Sequence, residues 1–239
     1  ARIHAIWGLG QLLRKVAAPR GEATLVGLFT DPDPEIRGQA VRTVTDGAPN
    51  KLGFAVAPEP AGEETPLMRS VLPLLRDPVL AVRMRALHAL GRLGVPAAFP
   101  AVVELLAEQG NDWEATYVRH AGVVALTGLA RADQLEGLSS HESRFVRGCA
   151  VVALRRRANP GAAEFLSDPD SLVAAEAARA IYDDGMIPAA MPALAKSLGE
   201  QIENEAFTRR ALAANHRLGT REAAARVTST HSSQVSLSE

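Results

Sequence analysis

Apolar residues recur along this chain at helical spacing, and the spacing itself repeats. Ile3, Ile6, Trp7, Leu9, Leu12 and Leu13 open the pattern within the first fifteen residues. An anchor then recurs: an apolar residue, Arg, a small residue three later, another six later, and often an apolar residue seven later. It reads Arg2-Ala5-Gly8-Leu9, Arg37-Ala40-Thr43-Val44, Arg83-Ala86-Ala89-Leu90, Arg119-Gly122-Ala125-Leu126 and Arg147-Ala150-Ala153-Leu154. Two degenerate copies place Ala174 and Thr208 at the Arg position. Offsets of three and seven share one face of an α-helix, and small residues there let a neighbouring helix come close. The pattern predicts helices over 2–15, 36–46, 79–94, 115–130, 143–158, 171–184 and 205–219, the second helix of each repeat. Apolar stretches such as Leu67–Leu75, Phe99–Leu106 and Met191–Leu198 supply first helices.

Asp31-Pro32, Asp77-Pro78 and Asp168-Pro169 stand six residues before an anchor. Asp is a good N-cap and Pro suits the first helical position, so Asp-Pro reads as the start of a second helix. Gly and Pro mark turns at Gly94–Pro96, Asn159–Gly161 and Gly185–Pro188. No segment alternates as a strand would. The expected fold is an all-α array of about seven helical hairpins over residues 1–227, stacked into one continuous core. A Pro-bearing insertion at 46–65 breaks the period as a surface loop, as does the short Gln109–Trp113. Residues 228–239, rich in Ser and Thr, read as a tail or linker. The pattern is already running at residue 1, which is not Met. The sequence therefore reads as a portion of something longer.

Composition narrows the classes. The chain has 239 residues, 26 Lys+Arg, 27 Asp+Glu and 47% hydrophobic residues. That is too apolar for disorder and too neutral for a globally basic nucleic-acid binder. No apolar run approaches the roughly 20 residues that cross a bilayer. The single cysteine, Cys149, excludes an internal disulfide framework and a cysteine-based zinc cluster within these residues.

The anchor Val/Ile-Arg-x-x-Ala-x-x-Ala-Leu behind Asp-Pro resembles the HEAT repeat in its short bacterial form, similar to the repeats of phycocyanobilin-lyase-like proteins. The resemblance implies an α-α superhelix, a HEAT/armadillo-like solenoid. "RIHAIWGLGQL", "YVRHAGVVALTGLA", "FVRGCAVVALRRRANPGAAEFLSDPDSLVAAEAARAIYDD" and "PAAMPALAKSL" resemble the HEAT region of large planctomycete multidomain proteins. Those proteins join a dehydrogenase-like β-propeller, a HEAT array and a cytochrome c domain with a Cys-x-x-Cys-His haem site. Cys149 is followed by Ala150 and Val151, so no such haem site exists in this chain. The resemblance implies a spacer between redox domains, with haem elsewhere in the parent protein and a periplasmic or cell-surface location.

Candidate chemistry is sparse. Cys149 lies among small apolar residues and reads as a buried, inert thiol rather than a nucleophile. His4, His88, His120, His141, His216 and His231 show no zinc-site spacing, although His4, His88 and His120 fall on second helices of different repeats. Glu63-Glu64 and Asp183-Asp184 read as solvated loop and helix-end residues. No dinucleotide, P-loop or nucleophile-elbow motif occurs. The expectation is no catalytic residue, no metal, no cofactor in this chain and no small-molecule substrate.

Charge placement says more. The predicted second helices hold 18 Lys/Arg and 5 Asp/Glu, leaving 8 basic and 22 acidic residues elsewhere. A HEAT array turns its second helices to the concave side, so the resemblance makes that side basic, and its anchor arginines usually tie neighbouring repeats together. Arg42, Arg85, Arg179, Arg209 and Arg210, with Trp7 and His88 as neighbours, are the candidate partner-binding residues. Arg outnumbers Lys 23 to 3, which suits bidentate pairing with carboxylates. The function expected is a non-catalytic scaffold that docks a protein or neighbouring domain with an acidic surface. A HEAT-like DNA glycosylase and a tetrapyrrole lyase or chaperone are the alternatives. The first is disfavoured because phosphate neutralisation dominates nucleic-acid affinity, the second because fold analogy is weak support.

Overall fold

The computed structural model describes residues 1–15, 19–46, 59–60, 62–109, 113–183, 187–199, 202 and 204–236. The protein is all-α, and no strand occurs among the described residues. Its helices are α1 (Arg2–Lys15), α2 (Pro19–Gly27), α3 (Pro34–Thr45), α4 (Pro66–Val71), α5 (Leu80–Leu93), α6 (Phe99–Ala107), α7 (Trp113–Leu129), α8 (Ala132–Gly137), α9 (Arg144–Arg156), α10 (Ser171–Tyr182), α11 (Met191–Lys196), α12 (Glu205–Leu218) and α13 (Arg221–Ser236). Two compact units form, Ala1–Arg131 and Ala132–Glu239.

The anchor pattern becomes the buried stripe of the second helices from α3 onward, whereas Ala5 and Gly8 of α1 are exposed. Ala40, Ala86, Ala150, Ala177 and Ala211, three residues past the anchor, are fully buried. So are Ala89, Ala125, Ala153 and Ala214, six residues past it. Around them in the N-terminal unit sit Leu87, Leu90, Leu106, Leu126 and Leu129; Leu135, Leu154, Phe165, Ile181 and Phe207 do the same in the C-terminal unit. Helices α5 and α7 approach one another closely. A Cβ on Gly91 would lie 2.9 Å from Ala125 Cα, and one on Gly128 would collide with the Gly91 carbonyl oxygen. Glycine at both positions lets the two backbones touch.

First helices are shorter than their second helices and often finish or begin in 3₁₀ geometry. Leu67–Leu75 is α4 followed by the 3₁₀ turn Leu72–Arg76, and Pro160–Phe165 is 3₁₀ throughout. The helices begin two residues later than Asp-Pro suggests. The N-caps are Asp33, Val79 and Asp170. Asp33 and Asp170 accept from Glu35 N and Leu172 N, each at 2.9 Å. Asp31, Asp77 and Asp168 instead close a turn before the cap. Each carboxylate accepts the backbone N–H two residues on, at 3.0, 2.9 and 2.8 Å. This is an Asx turn, which competes with helix geometry.

The stretch from 228 also departs from expectation, because α13 runs to Ser236. Thr228 and Ser229 turn their hydroxyls back onto the Ala225 and Arg226 carbonyls at 2.9 Å each, so these polar residues ride within a helix. Most of the expected 46–65 loop, residues 47–58 and 61, lies outside the described residues, as do residues 110–112 of the second insertion.

Candidate functional site

Two anchor arginines, Arg37 and Arg147, are structural clasps. Arg37 donates from Nη1 to the carbonyls of Asp31 at 2.8 Å and Pro32 at 3.3 Å, its own repeat's turn. Its Nε and Nη2 grip the Asp77 carboxylate of the next repeat at 2.7 and 2.8 Å. Arg147 repeats the arrangement. Nη1 reaches the His141 and Glu142 carbonyls at 2.8 and 2.9 Å; Nε and Nη2 hold Asp168 at 2.7 and 3.0 Å. Arg83 donates to the Asp77 and Pro78 carbonyls, and Arg2 pairs with Asp31. A planar guanidinium with five donors fits this role, and Lys would not. The bidentate hydrogen bonds from Arg37, aided by Val79 N–H, hold the Asp77 carboxyl below its ordinary range against the opposing effect of burial. His141 stands where other repeats carry Asp, and its Nδ1 accepts Ser143 N–H at 3.0 Å.

The candidate partner-binding residues fall in both units. In the N-terminal unit, Trp7 is 47% exposed and donates from Nε1 to Gln39 Oε1 at 2.9 Å. His4 stacks edgewise on it, with ring centroids 5.4 Å apart. Gln39 donates on to Glu35 Oε1 at 2.7 Å, and Arg85 reaches both Glu35 oxygens at 3.1 and 3.2 Å. Gly38 makes this possible, because a side chain there would occupy the path of the Arg85 guanidinium. Gln39 and then Arg85 hold Glu35 ionised below its ordinary range. Arg92 pairs with Asp46 at 3.0 Å, and Arg14 approaches the same carboxylate at 3.8 Å. Arg42 points to solvent.

In the C-terminal unit, Arg210 grips Asp183 from Nε at 3.0 Å and Nη2 at 2.6 Å. Those bonds, ahead of the neighbouring charges, keep the Asp183 carboxyl low. Arg155 reaches Glu176 at 3.1 Å. Arg179 is exposed between Glu176 at 3.6 Å and Asp183 at 4.0 Å. Arg209 meets Glu205 one turn away at 3.0 Å, both well exposed.

Within each unit, the expected basic residues thus form a ladder with carboxylates. Arg85 and Arg210 spend their donors inside the fold, whereas Arg42, Arg179 and Arg209 retain exposed heads. Sequence reasoning counted the arginines correctly and missed Glu35, which lies one residue before its assumed helix start. Spacing could have found it: Glu35 precedes its anchor by two residues and Arg85 follows the next anchor by two.

His88 and His120 converge. α5 and α7 bring their rings to 6.3 Å between centroids, with an interplanar angle of 90°. His88 Nε2 is buried and has no hydrogen-bond partner, and it is the buried side-chain nitrogen or oxygen so found among the described residues. Burial, then Arg92 and His120, lowers the His88 pKa to about 4, so the ring is a free base at neutral pH. Cys149 is fully buried. The Trp113 side chain and Asp184 lie outside the described residues. No cluster of three or more potential metal ligands converges among the described residues, and none of their helices is long and apolar enough to cross a membrane.

No protein-family description matches the chain, and neither does any curated protein. It is similar to crystal structures of two engineered proteins from the Northeast Structural Genomics Consortium. One is 20% identical with a TM-score of 0.38, over 81% of this chain and 95% of the other. The second is 19% identical with a TM-score of 0.38, over 96% of this chain and 67% of its own.

Proposed function

We propose that this chain is a non-catalytic interaction module of the HEAT type, whose hairpins stack as an α-solenoid. The observation that carries the reading is the repeated clasp of Arg37 on Asp77 and Arg147 on Asp168, each reaching from one repeat into the next. A fold that secures its own succession this way supports nearest-neighbour stacking. Arg42 on α3, Arg179 on α10 and Arg209 on α12 keep exposed guanidinium heads suited to carboxylates of a partner. The partner class is a protein or neighbouring domain with an acidic surface. The resemblance to planctomycete multidomain proteins adds a narrower reading: a spacer in a larger redox protein, outside the cytoplasm.

Two experiments test this. Fluorescence anisotropy with a labelled poly-glutamate peptide and with duplex DNA, titrated with salt, separates the partner classes. The peptide should bind, and the triple variant Arg42→Glu, Arg179→Glu, Arg209→Glu should lose that binding. Preferential DNA binding, or peptide binding indifferent to the variant, would overturn the reading. The sequence flanking these residues in the genome tests the narrower proposal: a downstream Cys-x-x-Cys-His supports the redox spacer, and an open reading frame ending close to these residues on both sides removes it.

A further inference from the structure

We propose that His88 and His120 form a two-imidazole binding site for a transition metal, with Cu(II) the favoured ion. The two residues are 32 positions apart, on adjacent helices of the N-terminal unit, and no recognisable metal motif links them. The fold nevertheless brings their rings to 6.3 Å between centroids, perpendicular to one another. Metal–imidazole bonds of about 2.0–2.1 Å, with the ring nitrogen about 1.1 Å from its centroid, space two ligating rings by about 5–6.4 Å as the N–M–N angle opens from tetrahedral to linear. The observed separation lies at the linear end of that range, which requires a nitrogen of each ring to point along the line joining them.

The electronic state of the site suits a ligand pair. His88 Nε2 is buried and has no hydrogen-bond partner, a condition that costs a folded protein free energy unless something supplies the missing bond. His120 is exposed, which opens the site to solvent and leaves its ring free to turn toward the metal. Two protein ligands leave the remaining positions to water or to a donor from a partner. The same two helices are in backbone contact through Gly91 and Gly128, the latter eight residues beyond His120.

The same surroundings select the metal. No carboxylate is among the groups that act on His88; they are Arg92 and His120. Arg92 is itself paired with Asp46 at 3.0 Å, which offsets part of its charge. An imidazole pair supplies no oxygen ligand to a hard dication such as Mg²⁺ or Ca²⁺. An all-nitrogen pair in a mildly cationic setting favours the ion that bonds imidazole most strongly, and Cu(II) stands at the top of the divalent order.

The test is a titration of the full chain, stripped of metal, with Cu(II) in a non-coordinating buffer. Calorimetry should give one tight equivalent, and the electron paramagnetic resonance spectrum should show coupling to two imidazole nitrogens. His88→Leu and His120→Ala should each weaken binding by at least about tenfold, whereas His4→Ala and His216→Ala should leave it unchanged. His120 is on the surface, so His120→Ala keeps the test decisive if His88→Leu unfolds. Copper should also raise the Tm of the native chain and not that of His120→Ala. Unchanged affinity in His120→Ala, or a signal from a single imidazole nitrogen, would overturn the site.

Discussion

Arg37 holds Asp77 through two parallel hydrogen bonds of 2.7 and 2.8 Å, across 40 residues of sequence. Both side chains are largely buried, at 12% and 5% exposure. Removing one partner leaves the other charge in a poorly solvated turn. Asp77→Ala should destabilise the N-terminal unit by about 3 kcal/mol, as expected for an uncompensated buried charge. Arg37→Met combined with Asp77→Ala should cost less than the sum of the two single changes. Urea unfolding of the four chains checks both; additive losses would mean that the pair is not coupled.

The same carboxylates set the response to acid. Asp77 and Asp183 are held below their ordinary value of 3.8 by Arg37 and Arg210 respectively. A folded pKa lower than the unfolded one contributes stability that is complete above the unfolded value and is lost as pH falls through the folded one. The urea midpoint should therefore show no contribution from these groups between pH 5 and 7, and should drop below about pH 4. Asp77→Asn should start less stable and fall less steeply over that acid range. An equally steep acid limb in Asp77→Asn would place the sensitivity elsewhere.

Helix approach gives a third prediction. Gly128→Val forces a side chain into the Gly91 carbonyl, a backbone atom that cannot swing aside. It should lower stability by about 3 kcal/mol or more, at the upper end of overpacking costs. Gly148 faces open space within α9, so Gly148→Ala should raise stability by about 0.5–1 kcal/mol through helix propensity. Thermal unfolding followed by circular dichroism distinguishes the two directions.

The ladder separates docking from folding. Arg209 and Glu205 are 71% and 82% exposed, so Arg209→Glu and Arg42→Glu should change stability by less than about 0.5 kcal/mol. Arg85→Glu should do more, because it faces Glu35 across two helices and adds a repulsive carboxylate beside it. If Arg42→Glu and Arg209→Glu abolish peptide binding at unchanged Tm, their role lies outside the fold.

Much of this fold is written locally. A period of small residues behind an Arg placed every second helix within two residues of its observed bounds, because the burial of Ala40, Ala86 and Ala150 follows from i, i+3 spacing alone. The starts were misplaced by Asp-Pro, whose Asp serves an Asx turn and a distant guanidinium rather than a cap. The 3₁₀ segments were not legible, since short turns of either helix type share one composition. The ladder was half legible: arginines can be counted, but their pairing needs the register of one helix against the next. The meeting of His88 with His120 was invisible for the same reason. It depends on the register of α5 against α7, which no single repeat contains.

The clasp also changes what counts as one module. By connectivity a repeat ends in the loop between hairpins, yet Arg37 completes a turn that belongs to its successor. A swap or deletion made at that loop severs an ionic seam and strands a cation in a dry crevice. The portable piece runs from Asp to the Asp after it, straddling two hairpins like a brick laid across the joint below. Grafting along those boundaries should yield chimaeras that fold, where grafts along the loops would require a matching arginine and aspartate to be carried over together.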